Sequence, residues 1–196
     1  MRTAEPQDEE LVSALLDGDE QAFTSLYRRR QAGLFRFALQ MSGSAAVAED
    51  VTQEVFLTLI RDGRDYDPRR GSVSAYLYGI ARNKVLQSFR HPTSAEEPGA
   101  EAASPDGGPL EEITRNESIR AVRDAVLALP AHYREAVVLC DLHEMPYEQA
   151  AQVLGCAVGT VRSRLHRARA LLAGRLRPTG GTQKAQGDAG VVRSFI

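Results

Sequence analysis

The chain has 196 residues, 43% of them hydrophobic and 26% charged, with a formal charge of −2, which suits one medium domain or two small ones. Its apolar runs, such as AVVL at 136–139, are far too short to span a bilayer, so no membrane insertion is expected. The polar start MRTAEPQDEE has no apolar signal core, which predicts a cytoplasmic location, and two cysteines exclude a disulfide framework.

Long stretches rich in Ala, Leu, Arg and Glu predict an all-α chain. Leu11, Leu15 and Leu16 mark a first helix; Gly18 and Asp19 end it, and Asp19 can cap the next. Phe23, Leu26, Tyr27, Leu34, Phe37 and Ala38 line that second helix. Ser44 can cap a third, whose apolar residues Val47, Val51, Val55, Leu59 and Ile60 recur at helical steps. DGRDYDPRRGS (62–72) reads as a loop broken by Gly63, Pro68 and Gly71. A fourth helix, Val73 to about Phe89, is predicted to bury Leu77, Ile80, Ala81, Val85 and Phe89.

From 91 to 109 the chain is rich in Pro, Gly, Ala and acid and has no large apolar residue, the composition of a flexible linker. The expected organisation is therefore two small helical domains, 8–91 and 112–176, joined by a flexible acidic linker at 92–111. A tail at 177–196 is predicted to be disordered, although it closes on VVRSFI, which reads either as a frayed end or as a short apolar plug. In the second domain, Ile119, Val122 and Val126 line a helix ending at Leu129-Pro130. Tyr133, Val137 and Cys140 line another, and Pro146 opens a short third helix that stops at Gly155.

The near-neutral total hides an uneven distribution. Between 93 and 117 Arg115 alone faces a run of acids, whereas 158–177 carries Arg162, Arg164, Arg167, Arg169, Arg175 and Arg177 with no acid. PYEQAAQVL, GCA and VGTVRSRLHRARALL have the lengths of a helix-turn-helix. At about 100° per residue, Val158, Leu165, Ala168 and Leu172 fall within roughly 60° of Val161. The opposite face carries Gly159, Arg162, Ser163, His166, Arg167 and Ala170, with Arg164 and Arg169 flanking the apolar stripe. Small residues allow close approach, arginine forks match the guanine acceptors, and flanking arginines can reach phosphates. A solubilising surface helix is the bland alternative, but such helices mix signs into i,i+4 pairs. DNA contact is the favoured reading.

A second basic set, Arg61, Arg64, Arg69, Arg70, Arg82, Lys84 and Arg90, surrounds the 62–72 loop and fourth helix, with Tyr76, Tyr78 and Asn83 among it. Charges for a backbone and rings for unstacked bases suit single-stranded nucleic acid, although either tyrosine is equally suited to the core. In AEDVTQEVF (48–56), Asp50, Gln53 and Glu54 fall outside the buried stripe, and Thr58 extends that set; this is an interaction face or a plain solvated one.

AEDVTQEVF and DYDPRRGSVSAYLYGIARNKVLQSFR together resemble domain 2 of bacterial sigma-70-family sigma factors. LPAHYREAVVLCDLHEMPYEQAAQVLGCAVGTVRSRLHRARALL resembles their domain 4, and two modules joined directly by a short linker are similar to the extracytoplasmic-function (ECF) group. The resemblance implies a domain 2 helical bundle and a domain 4 helix-turn-helix, working with core RNA polymerase on promoter DNA. It places Asp50, Gln53, Glu54 and Phe56 on the polymerase β′ clamp helices. It assigns recognition and melting of the −10 element to Arg69, Arg70, Ser72, Tyr76, Arg82, Asn83 and Lys84. Domain 4 would sit on the β flap and read the −35 element through Thr160, Arg162, Ser163, Arg164, His166, Arg167 and Arg169. Control by an anti-sigma factor is expected, and no cofactor, metal or catalytic residue is implied.

Two rival classes fare less well. A helix-turn-helix regulator with a sensor or dimerisation domain at 8–91 has no need of the basic patch at 61–90. For an enzyme, no Ser-His-Asp arrangement, phosphate loop or paired-carboxylate motif is present, and Cys140, His143 and Cys156 lack a fourth ligand and the spacing of a zinc site.

Overall fold

The computed structural model describes residues 6–90 and 109–176, and these are all-α. Four helices among them make the first domain: α1 (Asp8–Leu16), α2 (Glu20–Ser42), α3 (Ala45–Asp62) and α4 (Val73–Arg90). Their ends follow from local chemistry. Asp19 accepts the Gln21 and Ala22 amides at 2.8 and 3.2 Å, and Ser44 Oγ accepts that of Val47 at 3.3 Å, so each satisfies donors that a first helical turn leaves open. Gly43, at φ 76°, closes α2 in the left-handed region where glycine carries no steric cost. Charge ties α1 to α2: the buried Asp8 carboxylate accepts from Arg29 at 2.8 Å and from Arg30.

Leu26, Leu34, Phe37 and Met41 of α2, Val55 and Leu59 of α3, and Val73, Leu77 and Val85 of α4 fill the core. Two residues expected there stay outside, Ile60 at 52% and Phe89 at 45% exposure. Ile60 lies one step, about 100°, round from Leu59 and so leaves the Val51/Val55/Leu59 seam. Phe89 sits in the last turn of α4, past its final buried residue, Val85. The 62–72 segment is also more ordered than a plain loop. It contains 3₁₀ turns at Gly63–Asp65 and Pro68–Arg70; Asp67 accepts the Arg69 amide at 3.0 Å, and the Tyr66 hydroxyl donates to the Gly71 carbonyl at 3.0 Å.

The second domain comprises α5 (Pro109–Leu127), α6 (Ala131–Val137), which runs into a π turn (Val138–Leu142), then α7 (Tyr147–Leu154) and α8 (Val158–Arg175). Residues 109–111, expected in the linker, instead form the first turn of α5, where a leading proline loses no helical hydrogen bond. The rest of that linker and the 177–196 tail lie outside the described residues. Pro146 caps α7 rather than opening it, and Gly155 at φ 61° ends it. Val161, Leu165, Ala168 and Leu172 of α8 are buried to 2% or less, chiefly against α6, along the stripe that periodicity marks.

The domains also pack on each other, α4 against α7 and α2 against α5. Arg134 of α6 donates to the Met41 carbonyl at 2.6 Å and to the Leu127 and Leu129 carbonyls, setting a cation on the carbonyl ends of α2 and α5. His143 Nε2 lies 2.9 Å from Gln40 Oε1, a pure acceptor, and therefore carries the ring proton. Nδ1 then accepts from the Tyr78 hydroxyl at 3.0 Å. Burial, with Arg36 nearby, lowers the His143 pKa to about 4. A Cβ on Gly33 would lie 2.9 Å from the Tyr78 oxygen, so glycine makes room for this contact.

His143 is thus neutral when packed, whereas an unconstrained histidine titrates near about 6.5. A depressed pKa gives stabilisation that is complete above about pH 6.5 and fades as pH falls toward 4, by about 3 kcal/mol at most. Urea midpoints measured from pH 7 down to pH 4.5 should fall with acidification, and His143→Asn should flatten the slope.

Candidate nucleic-acid interface

Seated on its apolar seam, α8 presents Arg162, Ser163, His166 and Arg167 to solvent, with Thr160 and Arg164 half-buried at the edges. Ser163 Oγ donates to the Thr160 carbonyl at 2.9 Å, a local bond that leaves its acceptor capacity outward. The Arg162 guanidinium lies 6.0 Å from the ring centroid of Tyr147, the first residue of α7. Arg169 is placed differently. It makes a two-pronged pair with Asp141 of the π turn, at 2.6 and 3.1 Å; that hydrogen bond raises its pKa further, with a smaller contribution from nearby Tyr147. Tyr147 thereby stands beside two arginines, its ring facing Arg162. Asp141 and Tyr147 escape a reading by periodicity, since Asp141 stands 28 residues from its partner.

On the first domain, Arg69, Arg70 and Asn83 are exposed, and the Ser72 hydroxyl accepts the Ala75 amide at 3.2 Å at the start of α4. Half-buried Tyr76 packs on Tyr66, centroids 5.3 Å apart, in a cleft of about 400 Å³ that Arg70, Ser72 and Asn83 also line. Tyr78 belongs to the packing between domains, whereas Tyr76 opens on the cleft. Two cations of this set are engaged within the molecule: Arg82 with Glu135 of α6 at 2.8 Å, and Lys84 with Glu54 at 2.7 Å. The Lys84 hydrogen bond and charge hold the Glu54 carboxyl below its usual pKa and join a residue assigned to DNA to one assigned to polymerase.

On the outer face of α3, Asp50 and Gln53 are exposed, but Phe56 is buried, its ring 4.7 Å from that of Tyr27 and 6.1 Å from that of Phe23. It floors the face instead of touching solvent. A groove of about 900 Å³ runs there, and its exposed apolar residues are Leu57, at 50%, and Ile60. Leu57 was not anticipated; its only signal was a large apolar side chain off the buried stripe. The Thr58 hydroxyl is buried without a hydrogen-bond partner, so Thr58 does not extend the face.

Burial pushes the Cys140 thiol up to about 11 and keeps it protonated. Among the described residues no group of three or more His, Cys, Asp or Glu is arranged to hold a metal ion, and no helix is long and apolar enough to cross a membrane.

Asp141→Ala should strand the Arg169 guanidinium and lower stability by about 1–2 kcal/mol, a range set by the pair's partial exposure. Tyr147→Phe should cost less. Urea unfolding of both variants measures the difference.

Comparison with known proteins follows this division. The family description Sigma-70 region 2 matches residues 26–93, and Sigma-70, region 4 matches residues 119–172. The ECF RNA polymerase sigma factor SigE of Mycolicibacterium smegmatis is 35% identical over 180 residues, covering 84% of this chain and 67% of that protein. The ECF RNA polymerase sigma-E factor of Escherichia coli K12 is 33% identical over 185 residues, covering 87% and 95%. CnrH, solved in complex with the cytosolic domain of CnrY, matches with a TM-score of 0.66 at 28% identity, covering 86% of this chain and 96% of that one. The sigma factor RpoE of Bartonella quintana, solved with the anti-sigma factor NepR, shares the fold with a TM-score of 0.64 at 24% identity over 81% and 98%. With both sigma-70 regions in order on one all-α chain, and a relative matched over nearly its whole length, this protein belongs to the ECF group of the sigma-70 family of RNA polymerase sigma factors.

Proposed function

We propose that the chain binds core RNA polymerase and directs it to promoters in the cytoplasm, reading duplex DNA at the −35 element with α8 and capturing the melted −10 element on the first domain. The observation that carries this reading is the α8 face: Arg162, Ser163, His166 and Arg167 all stand outward from a seam buried to 2% or less. A rigidly held helix with two outward arginine forks fits a major groove. Thr160 and Arg164 border the groove edges and suit phosphates. Arg169, clamped by Asp141, contributes through its remaining exposed edge.

On the first domain, the Tyr76 cleft with Arg69, Arg70, Ser72 and Asn83 offers a ring, charges and amide groups to an unstacked base, with Arg82 and Lys84 alongside. Unstacking costs a few kcal/mol per step, and capture of the extruded base offsets it, so melting is driven by binding. Asp50, Gln53 and Glu54, above the Phe56 floor and beside exposed Leu57 and Ile60, form the surface proposed for the β′ clamp helices, while the second domain takes the β flap. An anti-sigma partner competing for these surfaces is part of the proposal. Each DNA contact alone is weak; joining two on one chain raises the effective concentration of the second.

Run-off transcription with purified bacterial core polymerase on a promoter library should yield promoter-specific transcripts, and none on any template would sink the proposal. Arg167→Ala should weaken −35 recognition roughly 5- to 150-fold, the range for one lost base contact of about 1–3 kcal/mol, while leaving core affinity unchanged. Equal loss of core affinity would refute that role for Arg167.

A further inference from the structure

The second domain covers part of one of the two proposed DNA surfaces and leaves the other free. Glu135 of α6 is 3% exposed, and its carboxylate takes the Arg82 Nε at 2.8 Å. Gln152 and Val153 of α7 form part of the wall of the cleft that holds Arg70, Ser72, Tyr76 and Asn83. The approach is close: a Cβ on Gly71 would lie 2.5 Å from the Gln152 side-chain oxygen. The Tyr78–His143–Gln40 bonds and the Arg134–Met41 bond fasten the same interface. By contrast Arg162, Ser163, His166 and Arg167 are exposed, and so are Leu57 and Ile60 on α3.

We propose that the packing of α6 and α7 on α4 is an intramolecular latch, in which the Glu135 carboxylate occupies on Arg82 the position of a DNA acceptor and α7 narrows the −10 cleft, while the −35 face and the polymerase groove stay open. The proposal rests on the reading of α4 as the −10 surface. A buried carboxylate is stable only while paired, so strand capture and closure compete for one guanidinium. In the closed form the protein can meet duplex DNA and polymerase, and it gains a melted strand only after the second domain swings away.

The full-length protein tests this without polymerase. Glu135→Gln removes the charge that holds Arg82, and Tyr78→Phe removes a latch hydroxyl without touching any residue assigned to DNA. Circular dichroism checks that each variant is folded, small-angle scattering gives the radius of gyration, and anisotropy reports binding of a fluorescein-labelled random single-stranded DNA. Both variants should expand and bind the strand about tenfold more tightly, equivalent to about 1.4 kcal/mol. Folded variants with unchanged radius and unchanged binding overturn the latch. Tighter binding without expansion also overturns it, because the lost negative charge then accounts for the gain. Expansion without tighter binding overturns the reading of α4 as the strand surface, and the masking with it. If Glu135→Gln does not fold, Tyr78→Phe decides by the same outcomes.

Discussion

Arg134 carries the arrangement of the two domains. Its guanidinium is held by main-chain oxygens: Met41 at the end of α2, and Leu127 and Leu129 where α5 ends. Carbonyls at helix C-termini have no partner within their own helix and carry partial negative charge, so a cation there answers two helix ends at once. Burial lowers the arginine's pKa and leaves its Nε without a hydrogen-bond partner, and the carbonyls offset part of that desolvation. With α6 pinned in this way, its neighbours are pinned too: Glu135 one residue on, and the π turn that holds Asp141 and His143. α8 in turn inherits its position from α6, against which it packs.

Much of this fold was legible in the sequence because the deciding interactions are local. Asp19 and Ser44 bond amides two or three residues away, and the α8 seam repeats within one helix, so caps and periodicity reveal them. The same locality revealed the outward arginines of α8. What stayed hidden depends on pairs far apart in the chain. Arg82 meets Glu135 across 53 residues and Arg169 meets Asp141 across 28, and nothing in either segment announces its partner. Ile60 and Phe89 failed for a different reason: hydrophobicity marks a residue as suited to burial, whereas neighbouring helices decide whether it is covered.

The formal charge of −2 acquires meaning only through these pairings. Asp8, Glu54, Glu135 and Asp141 neutralise arginines and lysines inside the molecule, at the joints between helices. Among the described residues, the outward α8 cations Arg162 and Arg167 have no such carboxylate partner, so their positive field faces outward.

The π turn at Val138–Leu142 has a consequence for how such a chain can change. Its wide hydrogen bond, from the His143 amide to the Val138 carbonyl at 3.0 Å, accommodates one residue more than an α-helical turn. That extra residue sets the phase between Asp141, which faces Arg169 within the second domain, and His143, which faces Tyr78 across to the first. Deleting any one residue of the turn would rotate one of these side chains about 100° away from its partner while leaving helix content intact. Drift at this corner is therefore constrained in length as well as at Asp141 and His143: a frame shift of a single position uncouples the Asp141–Arg169 pair from the His143–Tyr78 contact.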